Sequence, residues 1–88
     1  MAALQRRAIR IRGQVQGVGF RPFVYRLATR RGLGGFVRND GAGVEIEVQG
    51  LSPVLDDFLQ ALRQPPPLAR IDALLVKNLP PDPQDGRT

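Results

Sequence analysis

The residues with the most chemistry to offer lie in one run, GQVQGVGFRP, from Gly13 to Pro22. Three glycines, an arginine and a proline stand where an alternating pattern gives way to helical spacing, so the run reads as a strand-to-helix turn. Gly17 and Gly19 permit backbone conformations closed to other residues and let a ligand approach main-chain N–H groups closely. Pro22 suits the first turn of a helix, where its missing N–H costs nothing. The free N–H groups and the positive dipole end of that helix favour an anion in the turn, a phosphate or a carboxylate. Arg21 adds a local conflict, because a cation at a helix N-terminus opposes the dipole by about 0.3–1 kcal/mol. A bound anion removes the conflict by taking both the guanidinium and the N–H groups; the alternative is a side chain extended into water. Asn39 is the second candidate. It stands before a turn, where an Asx-turn is a sufficient local reason for asparagine. By alternation it also shares a face with Val37, which would aim it over the helix side of a sheet toward the glycine turn, and the residues leave both readings open.

The elements that must hold these residues follow from the spacing of apolar positions. Residues 7–13 alternate, with Ile9 and Ile11 on one face and Arg10 and Arg12 on the other, as a half-buried strand requires. From Phe20 the period lengthens, and Phe23, Val24, Leu27 and Ala28 form a helical stripe that ends at Gly32. Gly35–Asn39 and Val44–Gln49 are extended segments around the turn Asp40-Gly41-Ala42-Gly43. Ser52 and Pro53 read as N-cap and first turn of a second helix with Asp56 and Asp57 near its start, and Val54, Leu55, Phe58 and Leu62 form its stripe. Pro65-Pro66-Pro67 stops it, and residues 69–77 alternate as a fourth strand with Ile71, Ala73 and Leu75 inward. The order βαββαβ closes most simply as an α+β ferredoxin-like sandwich, an antiparallel sheet with both helices on one face. Strands one and three are neighbours in that arrangement, so Arg10 and Arg12 are expected to pair across the open face with Glu45 and Glu47.

Composition narrows the function. A chain of 88 residues with 42% hydrophobic residues holds one domain with a modest core. It has no cysteine and no histidine, which removes zinc sites of the usual kind, thiol nucleophiles, disulfides and histidine acid–base chemistry. Residues 1–39 carry nine arginines and no acid, whereas residues 40–88 carry four bases and eight acids. Arginine is the side chain suited to bidentate binding of phosphate or carboxylate, so nucleic acid and a small anionic substrate are both candidate partners. The start MAALQRRAIRIRG has no signal-like apolar run, and no segment approaches the roughly 20 apolar residues of a membrane span. A soluble cytoplasmic domain is expected, with no membrane partner.

Taken together, these residues resemble the acylphosphatase family. Its G-x-V-Q-G-V-x-F-R loop matches Gly13, Val15, Gln16, Gly17, Val18, Phe20 and Arg21, and its G-x-V-x-N strand matches Gly35, Val37 and Asn39. Within the family, GFRPFVYRLA, NDGAGVEIEVQG and PPLARIDAL are most similar to the N-terminal acylphosphatase-like domain of the hydrogenase maturation carbamoyltransferases. The resemblance implies metal-independent hydrolysis of an acyl phosphate to a carboxylate and phosphate, with carbamoyl phosphate as the relevant substrate and no cofactor. It implies a phosphate-binding loop of Val15, Gln16, Gly17, Val18, Gly19 and Phe20, with Arg21 holding the phosphoryl oxygens and Asn39 orienting water. It also implies residues 1–78 as the acylphosphatase-like domain, residues 79–88 as a polar proline-rich tail or linker cut before a last strand, and downstream domains of a larger maturation protein as partners. The alternatives are a stand-alone acylphosphatase, a non-catalytic anion-binding module, or an RNA-binding sheet. The last needs aromatic residues on the open face, where Phe36 is the one strand aromatic.

Overall fold

The computed structural model describes residues 3–83 except residue 42; the expected turn residue Ala42 and the tail residues 84–88 lie outside the described residues. Six elements appear in the order read from the sequence: β1 (Leu4–Gln14), α1 (Phe20–Arg30), β2 (Gly34–Asp40), β3 (Gly43–Leu51), α2 (Ser52–Leu62) and β4 (Arg70–Leu79). The sheet order is β2-β3-β1-β4 with every neighbouring pair antiparallel, which is the ferredoxin-like α+β arrangement. No helix among the described residues is long and apolar enough to cross a membrane.

The core forms where the two periods meet. Ile9 and Ile11 of β1 and Val44, Ile46 and Val48 of β3 face Phe20 and Val24 of α1 and Leu55, Phe58 and Leu62 of α2, all buried. Each such large side chain contributes about 1.5–3 kcal/mol of burial. Helix α1 stops as its glycine foretells. Gly32 takes φ 66°, its N–H donates to the Thr29 carbonyl, and the Leu33 N–H reaches back to that of Ala28, satisfying two terminal carbonyls. Helix α2 starts differently from its sequence signal. Ser52 is already helical and Leu51 holds the cap position without a side-chain cap, while the Ser52 N–H donates to the Ala3 carbonyl at 3.2 Å. Asp56 and Asp57 lie beyond the first turn and bind arginines instead, Arg7 at 2.8 Å and Arg31 at 2.7 Å.

Strand β4 departs from simple alternation. Against β1, Arg12 stands opposite Ala73 but Gly13 opposite Ile71, so Asp72 is an extra residue in a β-bulge. The extra residue reverses the phase. Ile71 and Leu74 turn to the core, whereas Ala73 is exposed and Leu75 is 66% exposed, contrary to the inward set Ile71, Ala73 and Leu75. Asp72 is drawn outward to Arg70 at 2.8 Å, and that guanidinium holds its carboxyl below the usual range.

The open face also sorts its charges differently from expectation. Arg10 does stand opposite Glu45 in the register, yet Glu45 is held by Arg38 at 2.8 Å and Arg10 reaches Asp40 at 3.8 Å. Glu47 is taken by Arg6 at 2.9 Å, and Arg12, opposite Gly43, has no ion-pair partner among the described residues. Phe36 is covered by the Arg38 guanidinium, 5.1 Å from its ring centre. Past β4 the chain returns across this face, where the Gln49 amide, 2% exposed, donates to the Asp82 carbonyl at 2.7 Å and accepts the Asp82 N–H at 2.6 Å.

The bulge depends on Gly13. It sits at φ 142°, and a Cβ there would collide with the Arg70 carbonyl. Gly13→Ala is expected to lower unfolding free energy by about 1–3 kcal/mol in urea melts. Gly17→Ala, with open space around it but φ 72°, is expected to lose about 1–2 kcal/mol from backbone strain alone.

Candidate anion cradle and catalytic site

The loop after β1 is suspended between two buried anchors. Val15 and Phe20 are each 1% exposed and seat both ends of the turn in the core, leaving Gln16–Gly19 to reverse the chain. Gly17 at φ 72° and Gly19 at φ 77° supply the left-handed steps, and Gly19 is the N-cap of α1. With glycine at the cap, no side chain covers the helix start, and the first turn holds no acid. The Phe23 N–H bonds the Gly19 carbonyl at 3.2 Å, and among the described residues the N–H groups of Gln16 through Arg21 have no acceptor. Arg21 is exposed at the second helical position and forms no ion pair or hydrogen bond among the described residues. Unlike Arg6, Arg7, Arg31 and Arg38, it has no carboxylate to neutralise it among the described residues.

Asn39 comes from the other side. It pairs with Val44 in the β2–β3 register, and Val44 is buried under the helices, so Asn39 lies on the core side of the sheet with Val37. It is nonetheless exposed, because it stands at the sheet end beyond the helices' cover. Its side chain makes no hydrogen bond among the described residues, so an Asx-turn is not what the structure shows.

Two side chains join the loop to its surroundings. The Gln16 amide donates to the carbonyls of Gly41 at 3.3 Å and Gly43 at 3.0 Å, tying the loop to the turn that follows Asn39. Gln14 donates to the Leu68 carbonyl at 3.4 Å on the opposite flank. Gly43 lies against β1 so closely that a Cβ would collide with the Ile11 carbonyl. The structure therefore brings the loop, Arg21 and the Asn39 end of β2 to one end of the sandwich. Of the loop residues, Val15 and Phe20 contribute only backbone because their side chains are core, and Val18 packs partly against it. The use of the Gln16 side chain was not legible beforehand. A glutamine in a turn has no periodicity to betray its partner, and a long amide donor beside glycines was the one available hint.

The cradle is a surface site. Two cavities of about 320 Å³ lie elsewhere, one beside Leu4, Leu33 and Leu51 and one between α1 and β2 at Val24, Ala28 and Val37, and neither includes Arg21, Asn39 or the loop. Among the described residues no three Asp, Glu, His or Cys gather as a metal site. What the arrangement offers is a fan of N–H donors, a helix N-terminus and a planar guanidinium for a tetrahedral anion, with a neutral amide at the same end of the fold.

The chain is similar to known proteins in sequence and in fold. The sequence model of the acylphosphatase family matches residues 7–87. The chain is similar to the carbamoyltransferase HypF2 of Cupriavidus necator, 63% identical over 67 residues, which is 75% of this chain and 8% of that protein. It thus spans under a tenth of that relative's length. Among solved structures it superposes on the acylphosphatase from Bacillus subtilis with a TM-score of 0.84 at 35% identity, covering 97% of this chain and 94% of that one. It also superposes on full-length HypF in a phosphate- and nucleotide-bound form, with a TM-score of 0.85 at 40% identity, covering 90% of this chain and 11% of that one.

Titration with inorganic phosphate is expected to shift the amide resonances of Val15–Arg21 while leaving open-face strand amides away from the β2–β3 turn in place. Arg21→Lys keeps the charge but loses the planar fork, and is expected to weaken phosphate binding about tenfold or more. Arg10→Ala, on the open face, is expected to leave it unchanged. Equal losses in the two variants would point instead to the diffuse field of the basic half.

Proposed function

Because the chain belongs to the acylphosphatase family, we propose that it hydrolyses an acyl phosphate to a carboxylate and inorganic phosphate, with carbamoyl phosphate as the substrate. Its likeness to HypF carbamoyltransferases, of which it spans a small part, supports a role as the acylphosphatase-like domain of a larger hydrogenase maturation carbamoyltransferase. The observation that carries the reading is the cradle itself: N–H groups without acceptors and an arginine without a carboxylate, among the described residues, meet at one helix start.

In this reading the phosphoryl group sits in the loop with its oxygens on the N–H groups of residues 15–20 and on the Arg21 guanidinium. Water attacks phosphorus in line, the bond from phosphorus to the acyl oxygen breaks, and the electron pair leaves with the carboxylate, or with carbamate from carbamoyl phosphate. That leaving group is a weak base, so little general-acid help is required and a site without histidine is chemically adequate. Arg21 and the N–H fan stabilise charge on the equatorial oxygens, and the Asn39 amide orients the water. No metal, cofactor or covalent enzyme intermediate is needed.

Asn39 separates this enzyme from a domain that only binds anions. An amide that positions water acts after the phosphoryl group is bound, so Asn39→Ala is expected to lower kcat roughly a hundredfold or more. Its affinity for inorganic phosphate, read from the loop amides, should stay within about twofold of the parent. Parental turnover in a folded Asn39→Ala protein would overturn the water-positioning role and favour the non-catalytic reading.

A further inference from the structure

We infer that Gln16 is a positioning residue whose side chain holds the Asn39 end of β2 at a fixed distance from the anion cradle, an inference that rests on the proposed hydrolysis. The two functional segments reach the site on separate elements. The cradle leaves the end of β1, whereas Asn39 rides on β2, an edge strand paired only with β3. Strand β3 lies between β1 and β2 in the sheet, so the register alone links the loop to Asn39 through two strand pairings. Gln16 supplies a direct link. Its amide spans from the loop to the carbonyls of both Gly41 and Gly43, two and four residues beyond Asn39.

Both of its donated bonds end on the β2–β3 turn, and Gly43 at the far side of that turn is pressed against the Ile11 backbone of β1. The turn is thus clamped at Gly43, and Gln16 adds the contact at Gly41, on the side toward Asn39. Gly41 itself takes φ 51°, a left-handed step that glycine adopts without steric cost. An amide carries both donors on one nitrogen, so a single side chain can serve two carbonyls, which a carboxylate cannot do. Gln16 need not touch the substrate to act in this way. It acts on the distance between water and phosphorus, to which in-line attack is sensitive.

The test is a double-mutant cycle between Gln16 and Asn39 in the full chain, read with a phosphate titration. Gln16→Leu removes both donors at similar size, and Gln16→Glu keeps the shape but replaces the donor by a charge that the two carbonyls repel. Both side chains are on the surface, and dispersed amide spectra confirm folding. With inorganic phosphate as the probe, the parent is expected to show shifts at Gly41 and Gly43 as well as in the loop, and both variants to confine them to residues 15–21. With an acyl phosphate, each variant is expected to lower kcat about tenfold with phosphate affinity within about twofold, and to cause no further loss in an Asn39→Ala background. Unchanged kcat, losses that multiply in the Asn39→Ala background, or turn shifts that survive both substitutions overturn the inference. If the parent turns over no acyl phosphate, the proposed hydrolysis fails, while the titration still decides whether Gln16 couples loop to turn.

Discussion

Backbone N–H groups without acceptors at the start of α1 are the constraint around which this end of the molecule is arranged. Such groups ordinarily find a capping side chain, but Gly19 offers none, and no acid stands in the first turn to answer the dipole. The arrangement survives because it stays at the surface, where water satisfies the donors, and because Val15 and Phe20 fix the loop's ends in the core. An anion that replaces the water meets donors that need no rearrangement. The cradle is preorganised by packing some distance away from it, which is how electrostatic stabilisation becomes effective in catalysis.

Part of the remaining positive charge is neutralised within the chain, although Arg12, Arg26 and Arg30 have no ion-pair partner among the described residues either. Of the arginines in the basic half, Arg6, Arg7, Arg31 and Arg38 are bound to carboxylates of the acidic half, and Arg10 leans toward Asp40. Pairs at the surface contribute little stability, about 0–1 kcal/mol each, but they reduce the field that would draw anions elsewhere. Among the described residues Arg21 lacks such a partner, and it stands where a helix dipole also opposes it. Strand β1, which like β3 is central in the sheet and paired along both edges, carries the loop at its end, so the candidate cradle is fixed to a strand held on both sides.

Where the chain is periodic, the sequence was a sufficient guide. Ile9 and Ile11 marked β1, the stripe from Phe20 to Ala28 marked α1, and the glycines of the β2–β3 turn marked the hairpin. The failures have local causes. One inserted residue, Asp72, reversed the phase of β4, and alternation cannot reveal a bulge that exists only against a partner strand. Ser52 looked like a cap but is the first residue of α2, with its N–H on Ala3 just before β1. Arg10 was placed opposite the right residue, yet a long side chain chose Asp40 because Arg38 already held Glu45. At the candidate site, the glycines do form the turn before α1 with Arg21 at its start, and Asn39 lies on the face that alternation gave it. The bonds of Gln16 to Gly41 and Gly43 depend on tertiary approach, about which residue type says nothing.

In the proposed reaction this chain directs water onto the phosphorus of an acyl phosphate and uses no metal to do so. The most direct measurement is turnover of carbamoyl phosphate and of a chemically stabler acyl phosphate in isotopically labelled water with a metal chelator present, locating the label in the products. Attack at phosphorus places the label in inorganic phosphate at an undiminished rate. Label in the carboxylate released from the stabler acyl phosphate would show attack at carbon instead, and turnover that the chelator abolishes would show that a metal takes part; either would contradict the account.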